Sequence, residues 1–211
     1  MRLLPAAALA FLPLLQAQDS PVLKSVEPRY DQYSPELAAN FDTSSASVTI
    51  TVMADGTPLV LEGSTVPLPI AVVMALKDYQ FRPLARIPHG RTEPEQNTYQ
   101  VMLNVPIRQS KTPVGPPAIH VRPGISKGLL VRQVRPEYPE FARQHRLRGS
   151  VMLDVEITAQ GEVAAVQARS GAFALIEAAY DAVKQWQYRP YQLNRQPVGV
   201  LTEIQTNFQP N

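Results

Sequence analysis

One pattern of punctuation is written twice along these 211 residues. The sharper copy opens at Val134-Arg135-Pro136-Glu137-Tyr138-Pro139 and closes at Trp186-Gln187-Tyr188-Arg189-Pro190. The fainter copy opens at Val26-Glu27-Pro28-Arg29-Tyr30 and closes at Tyr79-Gln80-Phe81-Arg82-Pro83. Tyr138 and Pro190 stand 52 positions apart, and Tyr30 and Pro83 stand 53 apart. Both intervals hold an alternating strand, a Gly turn and an apolar helical stretch, in that order. A repeat on this scale fixes the domain count before any local assignment is made. The expectation is an α+β chain of two tandem domains, residues 20–108 and 129–211.

The sharper copy predicts a short helix over 139–147, since Pro is well tolerated in a first helical turn. Val151, Leu153, Val155 and Ile157 then alternate with Ser150, Met152, Asp154 and Glu156, the period of a half-buried strand. Thr158-Ala159-Gln160-Gly161 turns the chain, and Glu162 to Arg169 returns it. Phe173, Ile176, Ala179, Tyr180, Val183 and Trp186 form one helical stripe about four turns long. A last extended segment runs from Val198 to Phe208. Its apolar Val198, Val200, Ile204 and Phe208 share a register with Thr202 and Thr206, as on a less well covered edge strand. The fainter copy repeats this with strands around Val48–Val52, Leu59–Leu61 and Tyr99–Val105 and a helix over 69–79. A single helical turn is expected at Pro35–Ala39. Between the copies, residues 109–128 hold four Pro and three Gly, the composition of a semi-stiff linker.

The charge of +2 is unevenly placed. Residues 19–108 carry 7 Lys/Arg against 10 Asp/Glu, a balance of −3, and residues 109–211 carry 12 against 8, a balance of +4. Basic residues scattered among carboxylates do not make the concentrated face that nucleic acid demands. There is no Cys, which excludes disulfides, thiolate metal sites, Cys nucleophiles and a lipidated N-terminal Cys. Arg2, the uncharged run Leu3–Leu15 and the small Ala17 read as an export signal spanning residues 1–17. The run is shorter than the roughly 20 apolar residues a membrane helix needs and holds two prolines. A short uncleaved inner-membrane anchor is the alternative; after cleavage, no span remains.

Several of these residues carry a resemblance. Tyr138-Pro139, Ala142, Leu147-Arg148-Gly149-Ser150-Val151, Val155-Glu156-Ile157 and Gln160-Gly161-Glu162-Val163 resemble the TonB C-terminal domain family. So do Ser170-Gly171, Ala178-Ala179, Ala182-Val183, Trp186-Gln187-Tyr188-Arg189-Pro190, Pro197-Val198 and Phe208. The match covers residues 129–209, with a degenerate counterpart in 26–107 that lacks Tyr-Pro, Ser-Gly and Trp. The resemblance implies, for each copy, a three-stranded antiparallel sheet with two helices on one face. It also implies a non-enzymatic periplasmic module that pairs its last strand with an extended segment of an outer-membrane transporter or another envelope protein. Strand addition needs an exposed edge more than particular side chains, so Val198, Val200, Thr202, Ile204, Thr206 and Phe208 are the candidate partner-binding residues. The alternative is a structural, self-assembling envelope protein, a homodimer included, whose edges pair between copies. Energy-coupling members of the family need a membrane helix and a long Pro-rich spacer. The export signal and short linker here favour a TonB-like binding protein.

The remaining motif residues read as packing. Trp186 and Tyr188 resemble an interface hot spot, but large aromatics closing an amphipathic helix serve more often as core anchors. Tyr138-Pro139 reads as an opening turn whose ring staples the helix to the sheet, with the shaping of a partner groove as the alternative, and Gly149, Gly161, Ser170, Gly171 and Pro190 are family-motif residues read as structural. Arg189-Pro190 and Arg82-Pro83 read as helix stops. Arg143, Arg146 and Arg148 read as a charged helix face, with contact to an acidic partner strand or to lipid A phosphates as the alternative. His89, His120 and His145 lack metal-ligand spacing, Ser170 lacks a nucleophile elbow, and no Gly-rich phosphate loop is present. No catalytic residue, metal or cofactor is expected.

Overall fold

The computed structural model describes residues 20–33, 41–83, 98–110 and 118–209. The expected export signal at residues 1–17, the helical turn expected at Pro35–Ala39, the segment 84–97 and residues 111–117 of the expected linker lie outside them. Residues 20–110 supply β1 (Val22–Lys24), α1 (Tyr30–Tyr33), β2 (Phe41–Met53), β3 (Pro58–Ser64), β4 (Leu68–Pro69), α2 (Ile70–Lys77), β5 (Gln80–Phe81) and β6 (Thr98–Ser110). Next come β7 (Ile119–His120), α3 (Pro123–Leu129), β8 (Leu130–Arg132), α4 (Glu140–Gln144), β9 (Gly149–Ile157) and β10 (Val163–Ala172). The chain finishes with α5 (Phe173–Val183), β11 (Gln187–Tyr188), β12 (Tyr191–Leu193), β13 (Gln196–Val198) and β14 (Val200–Phe208).

The alternating apolar residues become strands because a sheet covered on one face buries every second side chain. Val48, Ile50 and Val52 of β2 and Val151, Leu153 and Val155 of β9 are all buried. Matching turns follow these strands. Gly56 (φ +92°) and Gly161 (φ +89°) take a backbone conformation that L side chains rarely adopt. Each carbonyl then accepts a hydrogen bond from the chain just beyond a helix: Phe81 N–H to Gly56 O at 3.0 Å, and Tyr188 N–H to Gly161 O at 2.8 Å. The next residues bond back in the same way, Arg82 N–H to Pro21 O and Arg189 N–H to Leu129 O, each at 2.8 Å. Gln187–Tyr188 therefore pairs with β8, as Gln80–Phe81 pairs with β1. Arg-Pro follows a short strand in both places, not a helix: α5 ends at Val183 and α2 at Lys77.

The halves meet in one sheet ordered β6-β2-β3-β10-β9-β14-β7, with β4 also on β10. The junction is antiparallel, with Gly171 opposite Leu61 and Ala172 opposite Val60. Farther along β10, Gln167 and Ala168 lie opposite Pro69 and Leu68. On the covered face α2 packs against α5 and β10. Lys77 and Glu177 form an ion pair across this seam, and Tyr180 Oη donates to Tyr33 O at 3.1 Å. One hydrophobic core contains residues of both halves, from Ile50, Leu61 and Leu76 to Leu153, Ile176 and Trp186. Every residue of α2 from Ile70 to Leu76 is buried, as expected of a helix that is apolar all round.

The Pro/Gly-rich stretch differs from its expected linker character over residues 118–128. It carries β7 and most of α3, and buries Val121 and Ser126. Pro123 stands at the start of α3, where its missing N–H leaves no helix bond unmade.

Candidate partner-binding edge

The sheet has two margins, β6 and β14 with its short neighbour β7. β6 contains Pro106, opposite Ser45 of β2. Proline is tolerated inside a sheet where its nitrogen faces away from the ladder, so it removes a donor from the outer edge. From Gly199 to Gln209, β14 and its flanks hold no Pro.

β14 pairs antiparallel with β9 from Val200–Ile157 to Phe208–Gly149. Its outward groups are fixed by two bonds: Gly199 O accepts from Ile119 N–H at 3.0 Å and Leu201 O from Val121 N–H at 2.9 Å. Because direction alternates along a strand, Glu203, Gln205 and Asn207 also turn their backbone N–H and C=O outward. Beyond Leu201 no strand lies beside them among the described residues.

The side chains expected to bind a partner point the other way. Val200, Thr202, Ile204 and Phe208 are buried, Thr206 is half-buried, and Val198 belongs to the hairpin β12–β13. From Val200 to Phe208 their backbone groups bond to β9, so they hold the strand in place while the intervening residues present its free edge. Thr202 Oγ1 donates to Ser126 Oγ at 3.0 Å, and Ser126 Oγ donates to Pro123 O at 2.9 Å. At Thr202 the Thr of this register therefore marks a place covered by α3.

A groove of about 440 Å³ runs beside Gln205–Gln209, lined also by Arg135, Pro136, Tyr138 and Trp186. Its floor is tightly held. Trp186 Nε1 donates to Val134 O at 2.8 Å, Tyr138 Oη donates to Leu147 O, and the Tyr138 and Phe208 rings lie 6.3 Å apart. Tyr188 packs 6.5 Å from Trp186, and burial pushes its hydroxyl well above the usual phenol range. Pro139 caps α4 and Pro190 is exposed. Gly149 (φ +141°) opens β9, while Gly171 (φ +140°) lies against Val151 and Ile176, next to Ser170.

On the open face, Arg169 Nε lies 2.7 Å from Asp154 Oδ2 and 3.6 Å from Glu203 Oε1, tying β10, β9 and β14 together. The hydrogen bond to Asp154 raises the Arg169 pKa. These groups border a hollow of about 400 Å³ with His120 and Arg122. Among the described residues, no three His, Asp or Glu side chains gather as metal ligands do.

Comparison with known proteins places this geometry. Residues 134–210 match the family described as Gram-negative bacterial TonB protein C-terminal. This segment is a TonB C-terminal domain. Protein TonB of Vibrio cholerae serotype O1 is 37% identical to the chain over 82 residues, which are 38% of this chain and 34% of that protein. The chain thus spans about a third of the length of the curated relative it matches. No solved structure matches. The TonB C-terminal segment holds the open edge, the groove floor and the whole of β14. No helix among the described residues is long and apolar enough to cross a membrane.

Sequence reasoning missed the latching of β7 and α3 onto β14. The available signals were the alternation Ile119-His120-Val121 and Pro123 at a helix start, both hidden by the Pro and Gly count.

Proposed function

We propose that the chain is a non-enzymatic periplasmic binding module, reached by export, that adds an extended segment of an outer-membrane transporter or another envelope protein to the edge of β14. The observation that carries this reading is the row of outward backbone groups at Glu203, Gln205 and Asn207, unpaired with any strand among the described residues and flanked by an aromatic-floored groove. Strand addition draws affinity from main-chain bonds and specificity from neighbouring pockets. In this reading residues 20–108 are a diverged copy of the same domain, whose own margin is blunted by Pro106.

The test is a titration with synthetic N-terminal segments of outer-membrane transporters, comparing Gln205→Ala with Gln205→Pro. A backbone-directed partner loses about tenfold or more on Gln205→Pro, which removes an outward N–H, and about twofold or less on Gln205→Ala. Equal binding by both variants overturns strand addition. The second reading, self-assembly through the same edge, is favoured by the β3–β10 seam, where equivalent strands of this fold already pair. Sedimentation separates the two, because a monomer at all concentrations rejects self-pairing.

A further inference from the structure

The edge that would receive a partner is already partly occupied by the chain itself. Residues 118–121 lie along the start of β14 as a parallel strand, with Val200 opposite Ile119 and Leu201 opposite His120. Two backbone bonds hold them, from Ile119 N–H to Gly199 O and from Val121 N–H to Leu201 O. Val121 is buried, and the buried Ser126–Thr202 hydroxyl pair fastens α3 just beyond. Of the five outward-facing positions from 199 to 207, this segment takes the first two.

We propose that residues 118–121 form an intramolecular latch, a resident strand that a partner must displace to pair with the whole of β14. This rests on the strand-addition reading above and adds its regulation. Closed, the latch confines a partner to Glu203–Phe208. Open, it releases Gly199 and Leu201 and extends the edge by two more outward positions. Apparent affinity for a long segment then rises in proportion to the fraction of molecules whose latch is open. Anything that draws residues 118–121 away, including tension from the preceding chain, raises that affinity.

The geometry offers a direct lock. A Cβ built on Gly199 lies 3.4 Å from Ala118 Cβ, close to the roughly 3.5–4.5 Å separation in disulfides. Because the chain has no Cys, Ala118→Cys with Gly199→Cys gives one possible bridge. The reverse perturbation is Ile119→Pro with Val121→Pro, which removes both latch donors. Two probes are titrated into the full chain. One is a synthetic peptide of residues 117–122, which mimics the latch in trans; the other is a transporter N-terminal segment long enough to cover 199–207. Hydrogen exchange at the Gly199–Phe208 amides is followed in parallel.

The expected result is that the proline pair binds both probes about tenfold or more tightly than wild type. The oxidised Cys pair should bind them correspondingly more weakly, with recovery on reduction. If the long segment binds wild type, oxidised, reduced and proline forms equally, the latch is overturned while strand addition stands. If the segment binds none of them, strand addition itself fails. If the 117–122 peptide then still binds the proline form alone, latch displacement survives that failure.

Discussion

Replacing Gly161 and Gly56 by Ala, singly, tests both the turn geometry and the unity of the core. At Gly161 an added Cβ would stand 1.9 Å from Tyr188 O, and at Gly56 it would stand 2.2 Å from Phe81 O. Both are backbone contacts, so no side chain can swing aside to relieve them. An L residue held at positive φ costs about 1–2 kcal/mol. Backing the carbonyl away also strains the Tyr188 N–H to Gly161 O bond, worth about 1 kcal/mol. Each variant should lose about 2–3 kcal/mol, or roughly 5–10 °C in Tm for a chain of this size. Trp186 is the single tryptophan and is buried in the shared core, so its emission in urea reports unfolding from one place. Gly63→Ala is the control, since nothing lies within 4 Å of its Cβ position, and it should stay within about 0.5 kcal/mol. If the halves unfold together, Gly56→Ala shifts the Trp186 transition as far as Gly161→Ala does. A Trp186 midpoint unmoved by Gly56→Ala refutes the single cooperative core. An unchanged midpoint for Gly161→Ala refutes the close approach.

Other outcomes follow from the same contacts. Burial raises the Tyr188 pKa above its unfolded value, so the neutral phenol contributes stability below about pH 10. That stability should drain away as pH rises through the folded pKa. Urea melts from pH 8 to 11 should show the decline, and Tyr188→Phe should make it shallower. The Lys77–Glu177 pair is more than a third exposed on both sides, so Glu177→Gln should cost less than about 1 kcal/mol by chemical denaturation. Salt should shrink even that difference. Thr202→Val should lose about 0.5–1.5 kcal/mol in the same assay and speed amide exchange at Val121, because Ser126 keeps Pro123 O as a partner but loses its tie to β14.

The strands were legible because one face of the sheet is covered, which writes period-two alternation into Val48–Val52 and Val151–Ile157. The Gly turns were legible because close backbone approach leaves few residue choices. The seam was harder to read. Its edge contacts run through main-chain groups at Leu61, Val60, Gly171 and Ala172, which impose little on side-chain type. A hint lay in Ile70–Leu76, too uniformly apolar for a helix covered on one side only. Trp186 was legible as a core anchor but not as lying beyond its helix, since the stripe continues in register through the turn after Val183. The candidate edge was half legible: its strand was marked by Val198–Phe208, but the apolar residues that mark it face inward. The residues that open outward, Glu203, Gln205 and Asn207, are polar and carry no distinctive pattern.

The β3–β10 seam joins like to like in opposite directions, the arrangement that a two-fold axis imposes on paired subunits. In a symmetric pair every substitution is made twice, so an edge cannot change on one side alone. Enclosed within a single chain, that constraint lapses. Leu61 and Val60 can face Gly171 and Ala172, bulk against small residues, and each side can drift as long as the other compensates. The distant margins gain the same freedom: one can accept Pro106 while the other keeps an uninterrupted run of backbone donors. What would have been two identical faces has become a polar object, with a blunt end and a receptive end.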